Sequence, residues 1–96
     1  MKTKTVKFIS REKIDAMLAS GELVVTRKIP GVGDMVGKPE SGEICGLIMG
    51  AMADELLGKE LKLVFSRTYG CWRTGMWAVP NWLVDMSEEV SVGTDS

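Results

Sequence analysis

The chain has 96 residues, 45% of them apolar and 26% charged, with a formal net charge of −1 and no histidine. Proportions this close to the globular average exclude a wholly disordered, fibrous or membrane-spanning chain. The length suits one domain that buries roughly two-thirds of its unfolded surface.

The small net charge hides an asymmetry. Residues 1–38 hold eight Lys or Arg against four Asp or Glu, and residues 39–96 hold four against nine. The basic residues of the first part are spread along a strand, a helix and a second strand without a dense run, so they are expected on a solvated face. The basic start "MKTKTVK" leads into charged sequence and not into an apolar run with a cleavage site, which places the expected location in the cytoplasm.

"TVKFIS" (5–10) alternates apolar and polar residues as a strand does. Ser10 then supplies an N-cap, with Ile9 and Ile14 at the two positions of a hydrophobic staple. Ile14, Met17 and Leu18 share one face at helical spacing and Gly21 closes the segment, which predicts a helix over 11–20. "ELVVTRKI" (22–29) is a strand stopped by Pro30 and Gly31.

"GVGDMVGKPESGE" (31–43), with four glycines, is a loop or pair of turns around a very short strand near Met35 and Val36. It has no Gly-Lys-Ser/Thr ending and no strand-loop-helix setting, so a phosphate loop is not supported. "ICGLIMGAMA" (44–53) is about half the length that a bilayer-spanning helix needs. In "CGLIMGAMADELLGK" (45–59) the apolar period becomes helical, and a helix ending at Gly58 is expected, with Met49 and Met52 in the core.

"KELKLVFS" (59–66) sets Leu61, Leu63 and Phe65 on one strand face. "CWR" and "MWAV" follow as two more strands with tight connections, which together make a β-meander. The three tryptophans lie in "WRTGMWAVPNW" (72–82): Trp77 is expected in the core, Trp82 as a plug at the end of the barrel, and Trp72, beside Cys71 and Arg73, exposed. Cys45 and Cys71, twenty-six residues apart with no CxxC pair, are expected as free buried thiols. "SEEVSVGTDS" (87–96) is a polar, acidic tail.

The order "GL…M…LLGKELKLV…YGCW…GMWAVPNWLV", opened by Val32, Gly33, Asp34, Met35 and Val36, resembles a class of small β-domains from bacteriophages and prophages. The resemblance covers about residues 32–85. It implies a barrel of the Src-homology type and an accessory phage protein with no reaction of its own. Residues 1–31 lie outside the pattern, and "RTG" stands before Trp77 where that class commonly has an acidic "DGG".

Without histidine, Ser-His and Cys-His nucleophile pairs and the commonest zinc ligand are removed together. The adjacent carboxylates Asp54 and Glu55, and Glu88 and Glu89, diverge on any regular element and do not pair as a general-acid dyad. No catalytic, metal or cofactor site is expected.

What remains is Arg67, Tyr69, Trp72 and Arg73, aromatic and basic residues within seven positions. Trp, Tyr and Arg dominate protein-binding hot spots, and basic groups interleaved with aromatics also suit nucleic acid. The acidic pI of about 5.4 favours the protein partner.

The expected fold is α+β, a small antiparallel β-meander or barrel with an N-terminal strand, helix and strand packed against it. Residues 1–92 are expected as one compact domain and 93–96 as a flexible tail. The expected function is that of a non-enzymatic phage or prophage accessory protein that binds, and inhibits or modulates, a host protein through Arg67, Tyr69, Trp72 and Arg73. The alternative is a nucleic-acid-binding module using the same residues. Homo-oligomers are compatible with the exposed strand edges expected of such a fold, and no membrane partner is expected.

Overall fold

The structure, a computed structural model, describes residues 2–39 and 45–94. The end of the glycine-rich loop, residues 40–43, and the last two residues of the acidic segment lie outside them.

The first helix forms where local signals agree. Strand β1 (Lys2–Lys7) leads through Phe8 and Ile9 to Ser10, whose Oγ accepts from the Lys13 amide at 3.3 Å as the N-cap of α1 (Arg11–Ser20). Ile14 and Met17 are the buried residues of this helix. Gly21 ends it in the left-handed region at φ 88°, its amide donating to the Leu18 carbonyl.

The chain then builds β2 (Val24–Ile29), β3 (Gly33–Gly37), β4 (Leu47–Met49), α2 (Ala51–Leu56), β5 (Glu60–Ser66), β6 (Cys71–Thr74), β7 (Trp77–Val79), α3 (Asn81–Met86) and β8 (Glu88–Thr94). Among the described residues, the eight strands form two antiparallel sheets, one of five strands in the order β7-β6-β5-β1-β8 and one of three in the order β2-β3-β4. The α+β class and the β5-β6-β7 meander agree with the sequence reading. The first strand takes an interior place in the larger sheet, between β5 and the edge strand β8, and β2 belongs to the smaller one.

Three local expectations are corrected. The helix expected within 45–59, ending at Gly58, is a strand followed by a short helix. Leu47, Ile48 and Met49 pair with Val36, Met35 and Asp34, and helix begins only after Gly50. Leu-Ile-Met satisfies either period, so the open backbone edge of β3 decides it. Residues 81–86, of which the sequence reading places only Trp82, as a plug at the end of the barrel, form α3 after Pro80, with Trp82, Leu83 and Val84 buried.

The third correction is β8, in the segment read as an acidic tail. Its Gly93 and Thr94 pair with Thr3 and Lys2 of β1, so residues 93 and 94 belong to the sheet.

The core lies between the sheets and helices. Val6 and Leu63 from the larger sheet meet Val36 and Leu47 from the smaller, with Ile14, Met52, Leu56 and Leu83 from the three helices. No buried polar or charged residue interrupts it among the described residues. A close approach fixes the smaller sheet. A Cβ on Gly33, which sits at φ 138°, would run into the Met49 backbone carbonyl across the β3-β4 pairing. Among the described residues no helix is long and apolar enough to cross a membrane.

Candidate functional site

Alternation along β5 puts Phe65 on the same face as Leu61 and Leu63, and pairing sets Trp72 of β6 directly opposite Phe65. Leu63 is in the core, whereas Phe65, two residues further along, lies beyond it and is only partly covered. The two rings meet edge to face, 5.2 Å apart at 76°. Lys4 reaches from β1 across β5 to place its ammonium 4.7 Å above the Trp72 ring, and Lys2 stands 5.7 Å from the Phe65 centroid.

Arg67, Thr68, Tyr69 and Gly70 form the turn between β5 and β6. The Gly70 amide donates to the Ser66 carbonyl at 2.8 Å, and the Tyr69 amide to the Ser66 Oγ at 3.4 Å. This turn raises Tyr69 into solvent, 66% exposed, and Arg73 returns along β6 to set its guanidinium 5.4 Å from the Tyr69 ring centre. Arg67 is exposed in the same turn.

The four sequence candidates therefore fall into two groups. Tyr69 and Arg73 come together as a stacked pair. Trp72, adjacent to Arg73 in a strand, points to the opposite face and joins Phe65, Lys2 and Lys4. Trp72 is partly covered, not freely exposed as the sequence suggested, because Phe65 meets its ring edge to face, Lys4 lies over it and the ring also packs against the core. The reading missed Lys2, Lys4 and Phe65. The apolar alternation of β5 marks Phe65, but nothing local signals that β1 lies alongside it.

The other two tryptophans also have places. Trp82 is buried, as expected, with its Nε1 lacking a hydrogen-bond partner among the described residues. Trp77 is only half-buried, because it lies at the hairpin end next to α2. Its Nε1 donates to the Glu55 carboxylate. It lines an open cleft of about 370 Å³ with Leu56, Leu61, Lys59, Thr74 and Met76. Among the described residues no three His, Cys, Asp or Glu stand together as a metal centre requires.

No protein-family model matches the chain, and no curated protein or solved structure matches it either.

Proposed function

We infer that the protein is a non-enzymatic binding module that docks a protein partner through the end of the β5-β6 hairpin. The carrying observation is the Tyr69-Arg73 pair, a Tyr ring 66% exposed with a guanidinium held 5.4 Å from its centre. Tyr and Arg are hot-spot residues, and holding them together before contact lowers the ordering cost of binding. Arg73 lies over the Tyr69 ring and Arg67 is exposed in the same turn, so a partner surface bearing carboxylates complements this end of the hairpin.

Single-stranded nucleic acid is the competing occupant, and the Trp72 environment argues against it. A stacking platform needs an open ring face, whereas Lys4 lies over Trp72 and Phe65 packs against it. The resemblance of residues 32–85 to phage and prophage β-domains supports a further reading, that of an accessory phage protein whose partner is a protein of the bacterial host.

Fluorescence anisotropy with a labelled single-stranded oligonucleotide, titrated with salt, separates the two occupants. The protein-docking reading expects no binding even at low salt. Tight binding that falls steeply with salt and is lost in Trp72→Ala would replace it with the nucleic-acid reading.

A further inference from the structure

Cys45 precedes β4 of the smaller sheet and Cys71 opens β6 of the larger one, yet their sulfurs lie 3.8 Å apart. The chain between them includes β4, α2 and β5, so the proximity is a product of the tertiary fold and not of sequence spacing. A disulfide has a bond of about 2.05 Å, so the two sulfurs need to approach by a further ~1.8 Å to close it. The surroundings differ: Cys71 is buried at 3% exposure, and Cys45 is partly exposed.

The geometry points to a reversible thiol-disulfide site at Cys45 and Cys71 that ties the turn end of the β5-β6 hairpin to the entry of β4. Its co-reactant is a small-molecule disulfide of the glutathione type. The more accessible Cys45 loses its proton and its thiolate attacks one sulfur of oxidised glutathione. The glutathione S–S bond breaks, one glutathione leaves as thiolate and takes up a proton, and a mixed disulfide remains on Cys45. Cys71, deprotonated in turn, attacks the Cys45 sulfur and expels the second glutathione, which is also protonated. Two electrons pass from the protein thiols to glutathione, and a reducing pool returns the site to thiols. The buried Cys71 needs only the neighbour already beside it.

The closed form joins the two sheets by a covalent bond across a loop of more than twenty residues, which restricts the unfolded chain. Ser66, the residue paired with Cys71, also closes the turn that carries Tyr69. Closing the bond therefore fixes the hairpin next to the turn that carries Tyr69. This consequence for binding rests on the function proposed above, whereas the disulfide itself does not.

The test equilibrates the folded full chain with defined ratios of oxidised to reduced glutathione, quenches with acid, and maps peptides without reduction. The expected product is a monomer that has lost two hydrogens, with the Cys45 and Cys71 peptides cross-linked and a Tm higher by on the order of 10 °C, reversed by dithiothreitol. Cys45→Ser, substituted at the partly exposed position, is expected to lose that oxidation-dependent rise. Glutathione adducts without a cross-link, disulfide-linked dimers, or thiols that stay reduced in the folded chain would each overturn the proposal. The peptide map is read on the unsubstituted chain, so it decides the matter even if Cys45→Ser does not fold. A cross-linked product in a chain that binds no protein would refute the binding function and leave the thiol site standing.

Discussion

Lys4 holds its ammonium 4.7 Å above the Trp72 ring, joining two strands that do not pair with each other, since β5 runs between β1 and β6. The contact ties the first strand of the chain to the hairpin that carries Tyr69 and Arg73. It also uses a ring face that a solvent-exposed tryptophan would offer to a ligand.

Lys4→Gln is therefore expected to lower stability by about 0.5–1 kcal/mol, the value of a surface cation-π contact. Lys7→Gln, at an exposed position of the same strand, is expected to stay within about 0.5 kcal/mol of the parent. Urea unfolding of the two variants side by side checks this. Equal losses would mean that the ammonium above Trp72 stabilises nothing.

Gly33→Ala is expected to cost roughly 2 kcal/mol or more, because it combines strain at φ 138° with a collision against the Met49 carbonyl. Gly31→Ala provides the contrast. It sits at φ 75° with nothing near the added Cβ, so only the backbone term applies, about 1 kcal/mol. Thermal unfolding that ranks the two the other way would contradict the close β3-β4 approach.

Ser10→Ala removes the side-chain acceptor for the Lys13 amide and is expected to cost about 1 kcal/mol. Ser10→Asp restores an acceptor and adds a negative charge at the helix start, so it should recover most of that loss. Denaturant midpoints with unchanged slopes would show that the effect lies in the helix and not in the unfolded chain.

Leu63→Ala empties a position with no exposure in the centre of the larger sheet, and a loss of about 2–5 kcal/mol is expected. Its neighbour on the opposite face, Lys62→Ala, is expected to change stability by no more than about 0.5 kcal/mol. The same unfolding curves test both.

The legible parts of this fold are those decided within a few residues. Helix α1 is bounded by Ser10 and Gly21 and faced by Ile14 and Met17, all readable in order. The strand from Glu60 to Ser66 follows from its alternation. Leu47, Ile48 and Met49 fit a helix equally well until β3 is placed beside them, and β8 has only Val90 and Val92 in alternation among polar and acidic residues, so its place beside β1 is not announced locally.

The site divides in the same way. Tyr69 and Arg73 are four residues apart around one turn, and their grouping could be read directly. Lys2, Lys4 and Phe65 join Trp72 through strand order, which no local pattern carries. Cys45 and Cys71 are likewise distant in sequence and adjacent in space.

The central claim is that the exposed Tyr69-Arg73 pair is a protein-docking surface. Its most direct test is capture of proteins from a bacterial lysate on the immobilised chain, quantified by mass spectrometry against a Tyr69→Ala/Arg73→Ala variant whose unfolding curve matches the parent. The account predicts at least one protein retained by the parent and depleted about tenfold or more on the variant, as loss of a hot spot requires. Equal retention of every protein on the two surfaces would contradict it.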